Sequence, residues 1–200
     1  GTEFDMTTTI YHRLAGIILA AGSSSRMGQP KALLTTENGR HLADAQAELL
    51  TSAGCERVLV VLGADAAAIH PELTSPTTVN FAWKTGRISS VQAGLRALPG
   101  FDGYFILPVD TVGIQAETIF VLRRFAEVRN PPALRPVHRG EKGRLLWVSG
   151  GVAQQILAMT STPEGRLDEI LNPVVQELDI GDGAILNNAN TPEEWARLKM

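Results

Sequence analysis

Residues 14–20, Leu-Ala-Gly-Ile-Ile-Leu-Ala, are apolar almost without interruption and run straight into Ala21 and Gly22. A strand with one wet face alternates apolar and polar side chains. A run that is apolar on both faces reads as a strand covered from both sides, as in a parallel sheet flanked by helices. The polar segment that follows, residues 22–31, then lies beyond the carboxyl end of a strand, where open α/β sheets bind ligands.

The same pattern recurs along the chain. Residues 58–62 are a second buried run, residues 78–83 alternate as a third strand, and residues 104–109 form a fourth that ends at Asp110. Between them the spacing becomes helical. Leu42, Ala45, Leu49 and Ala53 recur on one face, with Gly54 as a stop. Residues 64–73 read as a short helix, Ile88, Val91, Leu95 and Leu98 mark another, and Ile119, Leu122 and Phe125 mark one more. Past Pro131 and Pro132, residues 133–138 and 145–148 read as strands, 151–159 as a helix and 174–180 as a late strand. Thr191, Pro192 and Glu194 are the N-cap, first-turn proline and capping-box partner of a closing helix. Strands alternating with helices predict the α/β class: a single three-layer α/β/α domain with a mostly parallel sheet and right-handed crossovers.

Composition narrows the function. The chain has 200 residues, 44% of them hydrophobic, enough for one domain with a full core. No repeat, linker or low-complexity tract divides it, so residues 6–200 read as one domain, and residues 1–5, ahead of Met6, as a cloning remnant. No apolar run reaches the length of a membrane span, and no leader is recognisable, so the expectation is a cytoplasmic protein without a membrane partner. Cys55 is the only cysteine, which excludes an internal disulfide and a cysteine-built metal centre and fits a reducing compartment. A net charge of −3 argues against a nucleic-acid partner but leaves nucleotides open, because a few local donors suffice for their phosphates.

Four segments carry chemistry. In residues 19–31, Leu-Ala-Ala-Gly-Ser-Ser-Ser-Arg-Met-Gly-Gln-Pro-Lys, the small residues Ala20, Ala21 and Gly22 let backbone approach a ligand. Backbone N–H groups, the hydroxyls of Ser23–Ser25, Arg26 and Lys31 can surround a triphosphate. The alternative is a surface loop with ordinary charges. The segment is neither a Walker A loop nor the glycine fingerprint of dinucleotide folds, which counts against a nicotinamide-dependent oxidoreductase. In residues 80–95, Gly86, Ser89 and Ser90 open a helix, either as a polar binding edge or as ordinary first-turn residues; Trp83 reads as a packing residue. Asp110, at the end of a buried strand, is placed to bind a metal or to cap the next helix. In residues 186–194, Asn188 and Asn190 precede Thr191 and either ligate through oxygen or shape the turn.

Taken together these segments resemble the nucleotidyltransferase superfamily with a Rossmann-like, GT-A-type fold. Its loop signature L-A-A/G-G-x-x-x-R-M-G-x-x-K is matched by residues 19–31, and N-x-x-W-x-x-G-x-x-S-S by residues 80–90. The branch most resembled is the molybdenum-cofactor nucleotidyltransferases. The resemblance implies transfer of a nucleoside monophosphate from a nucleoside triphosphate to a small phosphorylated acceptor, molybdopterin, with release of pyrophosphate. It implies Mg2+ as cofactor, held by Asp110 and Asn190, and Arg26, Lys31 and Asp110 as the catalytic set. It also implies nucleotide contacts from Leu19, Ala20, Ala21, Gly22, Ser23, Arg26, Lys31, Gly86, Ser89, Ser90 and Asp110, and a molybdoenzyme or another cofactor-biosynthesis protein as partner. Leu-Ala-Ala-Gly leans toward CTP, with GTP next. Two departures, Val112 where the family has proline and residues 143–147 where the cytidylyl branch has Gly-His-Pro, keep open a different phosphorylated acceptor or a nucleotide-binding domain without catalysis. A glycosyltransferase is disfavoured, because Asp110-Thr111-Val112 lacks a second acid.

Overall fold

The computed structural model describes residues 12–160 and 166–199, so the proposed cloning remnant lies outside the described residues. The first apolar run is β1 (Leu14–Ala20), and its two faces are both covered. Leu14 and Ile18 point into one core layer, and Ala15 and Ile17 into the other. The first layer takes its helical cover from α1 (Leu42–Ser52), then, after β2 (Arg57–Leu62), from α2 (Ala66–Ile69). β3 (Thr77–Val79) is short, and α3 (Arg87–Ala97) crosses to the opposite face. β4 (Gly103–Pro108) follows, and α4 (Ala116–Arg129) returns to the first face.

The later part of the chain completes the sheet with β5 (Ala133–His138), β6 (Glu141–Lys142) and β7 (Leu146–Ser149). It continues through α5 (Gly150–Leu157), α6 (Arg166–Leu171), β8 (Val175–Asp179) and α7 (Pro192–Leu198). The strands form one sheet in the order β3-β2-β1-β4-β7-β5-β6, with β8 on the free side of β5. β1, β2, β3 and β4 are parallel, as are β5 and β8. β7 alone runs against both β4 and β5, and β6 pairs antiparallel with β5. The expected single α/β domain with a mostly parallel sheet and helices on both faces is what the chain forms. Among the described residues, no helix is long and apolar enough to cross a membrane.

Local chemistry corrects several boundaries. The strand expected over residues 78–83 stops at Val79, because Asn80 turns the chain. The buried Asn80 accepts from the Ala82 N–H at 3.0 Å and donates to the Ser89 and Ser90 hydroxyls at 2.8 and 2.9 Å. Trp83 therefore starts a 3-10 turn instead of ending a strand. Residues 64–73 split into α2 and a 3-10 turn beginning at His70, where Pro71 withholds the N–H that would continue the α-helix. Ser149 caps α5 by accepting from the Val152 N–H, so the helix expected from residue 151 begins at Gly150. Thr191 caps α7 through the Glu194 N–H, while the Glu194 carboxylate returns to the Thr191 hydroxyl and not to its backbone.

Candidate active site

The carboxyl ends of β1 and β4 frame a cavity of about 380 Å3. Its floor is the loop after β1, with Leu19, Ala20, Ala21, Gly22, Ser23 and Ser24. The fold of that loop follows from three anchors. Met27 is buried in the first core layer, its N–H donates to the Ser24 carbonyl, and the Ser24 hydroxyl accepts from the Lys31 N–H at 3.0 Å. A Cβ added at Gly22 would meet nothing within 4 Å, so the glycine faces open space. Gly63, after β2, is the opposite case: a Cβ there would lie 2.6 Å from both the Ala21 carbonyl oxygen and Trp83 Cβ, so only glycine lets Trp83 close over the loop. Trp83 lines the cavity and packs on the second core layer, the packing role expected of it.

Lys31, Asp110 and Asn190 meet at one end of this cavity. Lys31 Nζ lies 2.8 Å from Asp110 Oδ2 and 2.6 Å from Asn190 Oδ1, and its side chain and that of Asp110 are only 17% and 11% exposed. Arg144 Nη1 takes the other carboxylate oxygen, Oδ1, at 2.8 Å, and reaches the Thr111 hydroxyl and the Asn187 carbonyl. Three elements hold Asp110 in place. The Val109 N–H donates to the Leu19 carbonyl, the Ala189 N–H donates to the Asp110 carbonyl, and fully buried Gln46 on α1 donates from Nε2 to the carbonyls of Val109 and Thr111 at 3.1 and 3.0 Å. Val112, which stands where proline was expected, is buried, and its carbonyl accepts from Asn187 Nδ2. Asn188 Oδ1 is buried with no hydrogen-bond partner among the described residues.

The predicted residues divide by position. Leu19–Ser23, Lys31, Gly86, Ser90 and Asp110 line the cavity, and Asn190 joins through Lys31. Gly86, at φ +117°, holds the left-handed backbone that starts α3. Ser89 is buried with its hydroxyl directed to the Gly86 and Ala82 carbonyls, so it braces the turn. Arg26 is exposed at the tip of the loop and is not among the cavity's walls. The four histidines share no cluster; His138 donates from Nδ1 to the Ile180 carbonyl and borders a separate surface depression with Asp179 and Gly181. Sequence reasoning missed Arg87, Arg144 and Gln46. Arg87 follows Gly86 within a segment already singled out, so its place was open to inspection. Arg144 lies far from Asp110 in the chain, and only the reversal at β7 brings it there.

Four cations, Lys31, Lys84, Arg87 and Arg144, face this cavity against Asp65 and Asp110, an excess suited to a polyphosphate. The donor set also fits a hard divalent ion. Asp110 Oδ2 and Asn190 Oδ1 converge on a point that already holds a positive charge, and magnesium needs only one or two protein oxygens when phosphates and waters supply the rest. Among the described residues no three His, Cys, Asp or Glu side chains gather into a metal cage.

Comparison with known proteins agrees with this architecture. The chain is 36% identical to nicotine blue oxidoreductase of Paenarthrobacter nicotinovorans, over 92% of the chain and 96% of that protein. It is 27% identical to the molybdenum cofactor cytidylyltransferase of Escherichia coli K12, over 92% of the chain and 94% of that protein. Its fold matches that of molybdopterin-guanine dinucleotide biosynthesis protein A from Archaeoglobus fulgidus with a TM-score of 0.70 at 17% identity, covering 92% of this chain and 96% of the other. The family model of MobA-like NTP transferase domains matches residues 16–178, and the chain belongs to that family.

Proposed function

We propose that the chain transfers a nucleoside monophosphate, CMP before GMP, from its triphosphate to molybdopterin and releases pyrophosphate. The observation that carries the reading is the convergence of Lys31, Asp110 and Asn190 at the end of a cavity floored by small residues. The base and ribose lie against Leu19–Gly22, with Gly86 and Ser90 on the far wall. An oxygen of the acceptor's phosphate bonds to the α-phosphorus, the bond from that phosphorus to the bridging oxygen breaks, and pyrophosphate leaves with the electron pair. Such transfers need positioning and neutralisation of charge more than covalent help, so no protein nucleophile is required. Lys31 turns from Asp110 to the leaving phosphates, Arg144 keeps the carboxylate oriented, and Arg26 at the rim meets the outermost phosphate. Asp110 and Asn190 would hold Mg2+, whose charge offsets that of the phosphate oxygens.

One relative supports a second reading. The Paenarthrobacter protein is named an oxidoreductase, so the missing glycine fingerprint does not by itself exclude redox chemistry in this family. In that reading Asp110 keeps both salt bridges, and Lys84 and Arg87 would hold the phosphates of a nicotinamide nucleotide, which would supply a hydride for a two-electron acceptor that takes its proton from water.

Pyrophosphate release should be followed with CTP, GTP, UTP and ATP in turn, with magnesium, with and without molybdopterin. Release with CTP that requires molybdopterin is the expected result. In Asp110→Ala turnover falls by about a hundredfold or more. Its fold persists, because Lys31 and Arg144 border an open cavity where water can solvate them. Silence with every nucleotide, joined to oxidation of NADH or NADPH by a quinonoid dye, replaces transfer with the redox reading.

A further inference from the structure

A second cavity, of about 250 Å3, adjoins the first and shares Arg87 and Arg144 with it. Arg87 enters from the start of α3, Arg135 from β5, Lys142 from β6, Arg144 from the approach to β7, and Asp168 from α6. Among the described residues, four cations thus face one carboxylate. That carboxylate does not neutralise them: Asp168 is 66% exposed, and its Oδ1 stands 3.9 Å from Arg135 Nη2, at the outer edge of ion-pair contact. Arg144 spends its charge on Asp110, on the first cavity's side of the shared wall.

The cluster is not an ordinary solvated surface. The Arg135 side chain is only 12% exposed. Arg87 is open to solvent, yet it is walled closely enough that desolvation, followed by the charges of Arg144 and Arg135, pulls it below the usual arginine range. It remains charged, as arginine does in proteins. Gathering like charges in a partly dry recess is unfavourable unless an anion shares the space. The remaining wall is Gly143, Leu145, Leu146, Leu167, Leu171 and Asn172, of which Leu145, Leu146 and Leu171 are buried in the core.

We propose that Arg87, Arg135 and Lys142 form the site that receives the acceptor's phosphate. The inference rests on the transfer reading above and adds which of this chain's residues hold the acceptor's phosphate. The shared wall explains how the two substrates meet, since Arg87 and Arg144 face both cavities. Arg135 and Lys142, which face only the second, select the acceptor.

The test uses the full chain saturated with a non-hydrolysable CTP analogue and magnesium, titrated with inorganic phosphate by calorimetry. Arg135→Gln and Lys142→Gln each weaken phosphate binding by about tenfold, the loss expected for one charge-assisted contact, and leave affinity for the analogue unchanged. Arg135→Lys, which keeps the charge, restores most of the binding. Lys142 is exposed, so its variant reports on binding and not on folding. Phosphate affinity indifferent to both glutamine variants overturns the proposal while the transfer reading stands. Failure of the analogue to bind, with phosphate binding still dependent on Arg135, sinks the transfer reading but keeps the anion site.

Discussion

At the scale of single residues, the site shows what a local motif can and cannot reveal. Lys31, Asp110 and the floor from Leu19 to Ser23 were legible because each follows a buried strand, where topology dictates a ligand edge. Gln46 was not, since nothing near it in sequence distinguishes a helical glutamine that holds two carbonyls from one that faces water. It binds the chain on both sides of Asp110, so its removal should act on the site as well as on the fold. Gln46→Leu leaves the Val109 and Thr111 carbonyls without that donor, at about 1–3 kcal/mol. A thermal melt should show a midpoint lower by about 2–4 °C for each kcal/mol in a chain of this size. Turnover measured well below that midpoint should still fall, because Asp110 is then free to shift. Melting lowered with unaltered turnover would reduce Gln46 to a packing residue.

At the scale of elements, periodicity located the long helices α1, α3 and α4 and the buried strands β1, β2 and β4, because burial on a fixed face leaves a repeating record. It failed where a polar side chain overrides the pattern, as Asn80 does after β3, and it passed over α6, a short helix with acidic residues in its first turn. Asp44 is a case that pattern reading treats as surface and structure makes a tie. Buried on α1, it accepts from the Thr74 and Ser75 N–H groups and from the Ser75 hydroxyl, joining the helix to the loop before β3. Burial is the largest influence on its carboxyl and pushes it up, but the hydrogen bonds from Ser75 and Thr74 together outweigh burial and carry it below the usual value. A carboxylate lowered on folding stabilises the protein above its unfolded pKa and loses that contribution as pH falls through the folded one. Asp44→Asn should therefore be less stable than the parent at neutral pH, and urea midpoints of the two should converge as pH is taken down through the acid range. A constant gap across that range would show that the tie does not depend on charge.

At the scale of the whole molecule, the parallel half of the sheet was foreseeable, and the reversal at β7 was not, because strand direction leaves no mark in an apolar run of four residues. Cys55 serves as a reporter of the whole fold. It is 4% exposed, and burial pushes its thiol up to about 12, so little thiolate exists near neutral pH. A thiol reagent at pH 8 should label the native chain no faster than it unfolds, and the rate should rise in step with denaturant; prompt labelling of the folded chain would place Cys55 in a loosely closed layer. The reversal itself has a practical consequence. Since β7 begins where β4 ends, the seam between these two strands is also the border between the half that carries Lys31 and Asp110 and the half that carries Arg135, Lys142 and α6. An exchange of residues 133–179 with a relative of the same sheet order would transplant the walls around Arg135 and Lys142 while Lys31 and Asp110 stay in place, provided the incoming segment keeps an arginine at position 144, the one tether it throws across the seam to Asp110.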